Sequence, residues 1–212
     1  MKDALTFIDG PLAFTLAPLV ACSVAALALI ADALIRMATT RKIRGRIGGQ
    51  VEAALEAGDP RAALDVLISG RPFFTGAANA LKAMAGEPKA LRDEAASLAL
   101  AEDVRALTRR RSGLVTLAAL APMLGLLGTV IGMMAAFRAL EAYSGPVEPS
   151  VVAGGLWQAM VTTGVGLAVA VPCVLVAAAV KSWADDKAAR AGAVLTRISI
   201  ALESTRGGDP SP

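Results

Sequence analysis

Four side chains that could form a polar path lie within two apolar stretches of this 212-residue chain. Thr129 lies in the charge-free run 112–137, and Gln158, Thr162 and Thr163 lie in a second charge-free run, 149–180. Hydroxyl and amide groups inside hydrocarbon need hydrogen-bond partners, so these side chains should face protein or water rather than lipid. Taken alone, each hydroxyl could simply bond a backbone carbonyl one turn back. Two such runs together predict a pore or an assembly interface.

The two runs contain no Asp or Glu. A proton that is bound and released at membrane depth would therefore need a carboxylate from another chain. Cys22 and Cys173 lie in apolar runs and are expected to be buried apolar residues, and the sequence has no histidine and no phosphate-binding glycine loop. We expect no catalytic residue, no metal and no cofactor, and a membrane-embedded enzyme finds no support.

Small residues and prolines in the same runs predict a close contact between two helices, because glycine lets neighbouring backbones approach. This helix-packing set comprises Pro122, Gly125, Gly128, Gly132, Gly164, Gly166 and Pro172. The two prolines are expected to shape their helices.

The composition predicts an all-α integral membrane protein, since 55% of the residues are hydrophobic and only 18% are charged. A soluble helical bundle is the disfavoured alternative, because such bundles rarely contain three charge-free runs of this length. Fourteen of the 21 Lys and Arg residues lie between Arg36 and Arg111, next to apolar runs. This pattern indicates a cytoplasmic segment close to anionic lipid and argues against nucleic-acid binding.

Hydropathy and charge together predict three transmembrane helices, a periplasmic N-terminus and a cytoplasmic C-terminus. The predicted segments are a periplasmic N-terminus (1–10), transmembrane helix 1 (11–35), a cytoplasmic helical region (36–111), transmembrane helix 2 (112–137), a periplasmic loop (138–150), transmembrane helix 3 (151–180), a cytoplasmic C-terminal helix (181–206) and a disordered tail (207–212).

The first apolar run allows two other interpretations. It could be an export signal, but Lys2 is balanced by Asp3 and Asp9, so the basic flank of such a signal is missing. The sequence 19–22 also resembles a lipoprotein cleavage site, which would make Cys22 a lipidated terminus. We favour a membrane span, because apolar sequence continues after the cysteine.

The region outside the spans is predicted to be helical. Asp59 and Pro60 are typical of a helix start, as an N-cap and a first helical residue. From Lys89 onward, no Pro or Gly interrupts the chain before Gly113, so we expect one long helix that enters the membrane. After the third span, an apolar stripe from Ala184 to Leu202 predicts packing against a partner helix and oligomerisation.

The sequence of residues 121–133, APMLGLLGTVIGM, resembles the second-span motif of the ExbB and TolQ branch of the MotA/TolQ/ExbB proton-channel family. Residues 159–172, AMVTTGVGLAVAVP, resemble the third-span motif of the same family. The three-span layout also fits, and the likeness covers most of the chain, least clearly over residues 1–90.

This resemblance implies a subunit of a motor in the bacterial inner membrane that is driven by the proton-motive force. It implies a ring-forming homopentamer around an ExbD- or TolR-like single-span partner, which supplies an essential aspartate, with a TonB- or TolA-like protein as a further partner. In that family the threonines that match Thr129 and Thr163 line the channel. Thr162 and Gln158 are expected to support them.

The sequence departs from the family pattern at one position. Family members usually carry a glutamate five residues before the third-span threonine, where this chain has Gln158. Glutamine cannot exchange a proton near neutral pH. The alternative function is therefore a non-conducting membrane scaffold of the same fold.

Overall fold

The computed structural model describes residues 13–40, 44–141 and 149–207, and seven α-helices account for most of them. The helices are α1 (Ala13–Thr40), α2 (Arg44–Glu56), α3 (Pro60–Ser69), α4 (Thr75–Ala83), α5 (Lys89–Thr108), α6 (Arg111–Glu141) and α7 (Pro149–Gly207). No strand occurs in these ranges. The predicted N-terminal segment 1–10, most of the predicted loop 138–150 and most of the tail 207–212 lie outside the described residues.

Three of the helices are long and apolar enough to cross a membrane. The candidate spans are Ala17–Thr39, Arg111–Arg138 and Ala153–Thr205. A hydrocarbon core about 30 Å thick needs about 20 residues of helix, so the third candidate is much longer than one crossing requires. The all-α class and the three candidate spans predicted from hydropathy are confirmed.

The chain divides into two compact units, and the first comprises the residues up to Ala33 and Arg110–Ala178. It holds most of the first candidate span, all of the second and the first part of the third. Its core consists mostly of small residues, namely Ala26, Cys173 and Ala177 around Leu114. Large apolar side chains such as Met123, Leu126 and Trp157 are instead exposed. Small residues inside and large apolar residues outside suit helices that pack in lipid.

One continuous helix from Lys89 into the second span was expected, and this prediction is wrong. The helical pattern is interrupted at Arg109 and Arg110, so that α5 ends at Thr108 and α6 begins at Arg111. At this break Arg110 pairs with Asp32 of α1 at 2.6 Å, and Nε of Arg111 donates to the Ala177 carbonyl oxygen at 3.1 Å. Two consecutive cations, Arg110 and Arg111, thus turn to acceptors on other helices, which the spacing of Pro and Gly alone does not reveal.

The second unit comprises Leu34–Arg109 and Ala179–Pro212 and has a separate apolar core. Helices α2 to α5 supply residues such as Leu64, Leu67 and Leu81, and α7 supplies Leu195, Ile198 and Leu202. The α7 stripe therefore packs against helices of its own chain. Our prediction that this stripe drives oligomerisation is wrong, because a periodic stripe does not reveal which helix covers it.

Capping interactions explain where two of the short helices begin. Asp59 accepts hydrogen bonds from the backbone N–H groups of Arg61 and Ala62, and Pro60 is the first residue of α3, so this predicted start is confirmed. The start of α4 is capped from a distance, since Asp103 of α5 accepts a hydrogen bond from the Ala77 N–H at 3.0 Å.

A buried charged group joins α5 to α7 inside the second unit. The Arg92 side chain is fully buried and donates to the Ser199 hydroxyl at 3.1 Å, the Ser199 carbonyl oxygen at 2.8 Å and the Glu203 carboxylate at 3.1 Å. The Ser199 hydroxyl in turn donates to Asp93. A buried guanidinium is tolerated only when it is paired in this way.

Asp93 is expected to make the second unit less stable at acid pH. Burial acts to raise the pKa of Asp93, but hydrogen bonds from Lys89 and Ser199 and the charges of Lys89 and Arg92 hold that pKa below its ordinary value of 3.8. A carboxyl with a lowered pKa in the folded state stabilises the fold above its ordinary pKa, and this contribution is lost as the pH falls through the folded-state pKa.

We expect hydrogen exchange of the α5 amides to accelerate as the pH is lowered below about 4. Asp93→Asn should reduce this part of the acid sensitivity, after correction for the intrinsic exchange rate at each pH. An Asp93→Asn protein with the same acid profile as the wild type would show that Asp93 contributes nothing to it.

Candidate functional site

Helices α6 and α7 pack against each other in antiparallel fashion along a line of small residues. Ala121 and Gly125 lie against Gly166, Gly128 against Thr162, Gly132 against Ala159 and Ala136 against Gly155. As the numbers rise on one helix they fall on the other, which defines the antiparallel direction. We call this contact line the small-residue seam.

The seam is close enough to exclude larger side chains. A Cβ atom added to Gly166 would lie 2.6 Å from the Ala121 carbonyl oxygen and 3.3 Å from the Cα of Gly125. A Cβ atom added to Gly128 would lie 2.5 Å from the Thr162 hydroxyl oxygen. Real Cβ atoms essentially never come closer than 3.0 Å to another heavy atom, so the 2.6 Å and 2.5 Å contacts require glycine at positions 166 and 128.

Two hydroxyls of α7 converge on one carbonyl of α6. Thr163 donates to the Gly125 carbonyl oxygen at 3.1 Å, and Thr162 approaches the same oxygen at 3.3 Å while donating to the Ala159 carbonyl oxygen at 2.7 Å. These bonds fix the rotation of α7 about its axis relative to α6. Thr163 is therefore held in place by the seam.

Thr162 differs from the other threonines of the predicted set. It is only 2% exposed and packs against Gly128, so within the chain it lies inside the helix contact rather than at its edge. The family resemblance gave Thr162 a supporting role beside Thr163, but residue type alone could not show which of the two neighbours faces α6. The contact with Gly128 assigns Thr162 to helix packing.

Thr129 lies at the edge of the seam and is half-buried. Its hydroxyl donates to the Leu126 carbonyl oxygen at 2.6 Å, which is the local bond that the sequence left open as an alternative. A hydroxyl that donates its one proton still has lone pairs that can accept a hydrogen bond. With this local bond made, the Thr129 hydroxyl oxygen can still accept a hydrogen bond from a proton donor on a neighbouring chain.

Thr129 and Thr163 point to the same side of the helix pair. Each follows a seam residue by one position, Thr129 after Gly128 and Thr163 after Thr162. One residue is a turn of about 100° in a right-handed helix, and in two antiparallel helices that face each other these turns lead to the same side. The chain thus presents two hydroxyls along one edge of the seam, surrounded by apolar residues.

The remaining predicted residues are distributed differently. Gly164 is exposed, and an added Cβ would meet nothing within 4 Å, so Gly164 makes no close contact with α6. Pro122 is half-buried in α6, and Pro172 is exposed in α7. Gln158 lies in α7, and its side chain is outside the part of the chain that the structure describes.

Four seam residues were absent from the predicted set. Gly155, Ala159, Ala121 and Ala136 lie in the contact, and an added Cβ on Gly155 would be 2.5 Å from the Ala136 Cβ. The spacing of Gly155, Ala159, Thr162 and Gly166 by four, three and four residues is the helical signal that could have identified them.

The arrangement can accept and relay a hydrogen bond but holds no titratable side chain of its own. No group of three or more His, Cys, Asp or Glu residues that could bind a metal occurs among the residues that the structure describes. Hydroxyls on an apolar edge favour a ligand that brings its own proton donor, such as a protonated carboxylic acid on a neighbouring helix.

Comparisons with known proteins show which family the chain resembles. Residues 68–193 match the MotA/TolQ/ExbB proton channel family. The chain is 32% identical over 192 residues to biopolymer transport protein exbB1 of Vibrio cholerae, which covers 88% of this chain and 83% of that protein. It is 39% identical over 81 residues to Tol-Pal system protein TolQ of Haemophilus influenzae, which covers 38% of this chain and 35% of that protein.

Proposed function

Because this chain belongs to the MotA/TolQ/ExbB proton channel family, in its ExbB and TolQ branch, we propose that it forms the proton-conducting ring of an envelope motor. The family is one of energy transduction in membranes rather than of enzymes, and the chain is a multi-pass membrane protein of that kind. We propose a homopentamer in the bacterial inner membrane.

The observation that carries this proposal is the common edge on which Thr129 and Thr163 lie. Thr129 donates its hydroxyl hydrogen bond to the Leu126 carbonyl oxygen, and Thr163 donates its own to the Gly125 carbonyl oxygen. Both hydroxyl oxygens therefore keep lone pairs that can accept a hydrogen bond at membrane depth. The charge-free runs that hold them contain no carboxylate. A single-span partner of the ExbD or TolR kind would supply that carboxylate as an aspartate, which is protonated when it faces this edge.

The proposed orientation follows from charge. The segment between the first two spans carries 14 basic and nine acidic residues, which favours the cytoplasmic side under the positive-inside rule. The N-terminus and the connection between α6 and α7 are then periplasmic, and the second unit is cytoplasmic. Protons enter from the periplasm and leave toward the second unit.

Proton flow can supply the work that this motor needs. One elementary charge that crosses 100 mV releases about 2.3 kcal/mol. The partner's aspartate is protonated while it faces Thr129 and Thr163, and the neutral acid can then move to the same two threonines of the next subunit. This movement is possible because a protonated acid costs far less free energy in hydrocarbon than a carboxylate. The resulting movement of the partner would pass to a TonB- or TolA-like protein in the periplasm.

The test replaces each threonine by valine in the chain reconstituted with its single-span partner. Thr129→Val and Thr163→Val keep the side-chain shape but remove the lone pairs, so we expect proton flux into vesicles to fall at least about tenfold, which corresponds to ~1.4 kcal/mol. Assembly with the partner should remain, because a hydrogen bond of this kind contributes only about 1 kcal/mol.

Thr116→Val is the matched control. Thr116 also lies on α6, is exposed, and donates to the Ser112 carbonyl oxygen at 3.0 Å, so its replacement removes the same kind of local bond. Wild-type flux is expected for Thr116→Val. Equal flux in all three variants would remove the channel assignment from Thr129 and Thr163.

Gln158 supports the alternative of a non-conducting scaffold, because an amide cannot exchange the proton that a glutamate at this position would. The same vesicle assay distinguishes the two functions. A scaffold conducts no protons with its partner present, whereas a conducting ring in which position 158 only hydrogen-bonds shows flux that depends on Thr129 and Thr163.

A further inference from the structure

An apolar groove opens on the second unit, beside the C-terminal part of α7. It has a volume of about 290 Å³ and lies between the α2 and α3–α4 segments on one side and α7 on the other. Its apolar walls include Val51, Leu67, Phe73 and Phe74. Four α7 residues complete it, namely Lys187, Arg190, Ala191 and Val194.

The α7 wall of the groove is amphipathic. Lys187, Arg190, Ala191 and Val194 are spaced by three, one and three residues, which places them on one helix face. Arg190 pairs with Asp186 at 2.7 Å, but both side chains are about half exposed, and a pair of this kind contributes only about 0.3–0.5 kcal/mol. The groove therefore combines an apolar floor with Arg190, which can leave Asp186 to pair with a carboxylate of another chain at little cost in free energy.

The outward face of α5 has the complementary pattern. Leu91 and Leu98 are exposed, at 48% and 63%, and lie seven residues apart on the side of α5 away from the core. Glu94 and Glu102 are exposed on the same face. On this face of α5, Glu94 and Ala95 lie between Leu91 and Leu98. On the groove face of α7, Arg190 and Ala191 lie in the same way between Lys187 and Val194.

We infer that the leucine face of α5 docks into this groove on a neighbouring copy of the chain. The two helices run antiparallel, as α5 and α7 do within one chain, where Arg92 contacts Ser199 and Leu100 lies near Gly192. Leu98 then lies beside Lys187, and Leu91, about 10.5 Å further along the helix, lies beside Val194. Glu94 and Glu102 then face Lys187 and Arg190, so the charges are complementary. The inference rests on the proposed ring, and it assigns the contact that closes the ring outside the membrane.

Two further observations favour a second copy as the occupant. The α7 stripe from Ala184 to Leu202, which could have served an intermolecular contact, is already covered by the chain's own helices. The groove and the leucine face are different surfaces of the same unit, so each subunit gives one and receives the other. A head-to-tail contact of this type generates rings when the rotation closes.

Cysteine crosslinking in membranes tests the inference. Two differently tagged full-length chains are co-expressed, both with Cys22→Ala and Cys173→Ala, one with Leu91→Cys and the other with Val194→Cys. We expect a crosslinked heterodimer with a short thiol-specific reagent, and no homodimer from Leu91→Cys alone, because the contact is head-to-tail.

Thr196→Cys in place of Val194→Cys is the matched control. Thr196 is exposed on the opposite side of α7, two residues further along, so its yield of heterodimer should be at least about tenfold lower. Glu94→Lys should lower the Leu91–Val194 yield by about tenfold through like-charge contact, and Arg190→Glu in the second chain should restore it.

The outcomes separate this inference from the proposed function, because crosslinking needs neither the partner nor proton flow. A ring of the expected mass without the heterodimer overturns the α5 contact and leaves the channel intact. A monomer overturns both the ring and the contact. Bound phospholipid that Val194→Trp displaces, again without the heterodimer, overturns the contact in favour of a lipid site.

Discussion

Gly166→Ala is expected to destabilise the packing of α6 against α7 more than any other substitution that adds one methyl group in the spans. The added Cβ would lie 2.6 Å from the Ala121 carbonyl oxygen, which belongs to a helix backbone and cannot rotate away as a side chain can. Overpacking of this kind costs about 1–3 kcal/mol, and the seam has no flexible neighbour to absorb it. Thermal unfolding in detergent should therefore occur several degrees lower than in the wild type.

Gly164→Ala is the matched control, since it makes the same change two residues away on the same helix. An added Cβ at Gly164 meets nothing within 4 Å, and alanine is the better helix former by up to about 1 kcal/mol. We expect unchanged or slightly raised stability of the single chain. If Gly164→Ala and Gly166→Ala melt alike, the seam does not hold α6 and α7 together.

Gly166→Ala should also reduce proton flux, for a geometric reason. Thr163 is positioned by its bond to the Gly125 carbonyl oxygen, and Gly166 lies 3.3 Å, measured from its added Cβ, from the Cα of the same Gly125. Separating the helices there moves Thr163 away from the edge that it shares with Thr129. Normal flux from a destabilised Gly166→Ala protein would contradict this coupling.

Arg92→Ala is expected to have the largest effect outside the spans, a loss of about 3 kcal/mol in the free energy of unfolding of the second unit. The substitution removes the donor that reaches Ser199 and Glu203 and leaves a cavity where the fully buried side chain lay. Because Ser199 also bonds Asp93, the loss should extend to α5. Hydrogen exchange of α5 and of α7 beyond Ala191 is the direct measurement.

Arg105→Ala is the control for this prediction, because Arg105 lies on the same helix and is exposed. Its replacement should change stability by no more than about 0.5 kcal/mol. Arg92→Lys separates charge from shape, since lysine keeps the charge but not the planar fork that reaches two acceptors of Ser199. Full stability in Arg92→Lys would show that charge alone suffices.

Much of the membrane unit was predictable because lipid imposes simple rules. Apolar runs of sufficient length must be helical there, and close-packed helices need small residues, so the three spans and the glycines at 125, 128, 132 and 166 follow from composition and spacing. The threonines of α7 were also predictable as a pair. Their separate positions were not, because only the rotation of α7 places Thr162 inside the contact and Thr163 at its edge.

The second unit was less predictable, because its interactions join residues far apart in the chain. Arg92 looked like one basic residue among fourteen, yet it is buried against Ser199, 107 positions later. Asp103 looked like a surface acid, yet it caps α4 at Ala77. In water a helix has several possible covering partners, so its apolar stripe could not reveal that α7 packs on its own chain.

The amino-acid sequence by itself determined which segments enter lipid and which are helical, because both depend on local composition and on the period of the helix. It also determined that the polar side chains of the two apolar runs are hydroxyls and an amide, with no carboxylate. Tertiary structure alone decided which helix faces meet, which threonine reaches the shared edge and which arginine is buried. The reason is that burial and hydrogen bonding arise between distant segments, and a one-dimensional pattern carries no distance between them.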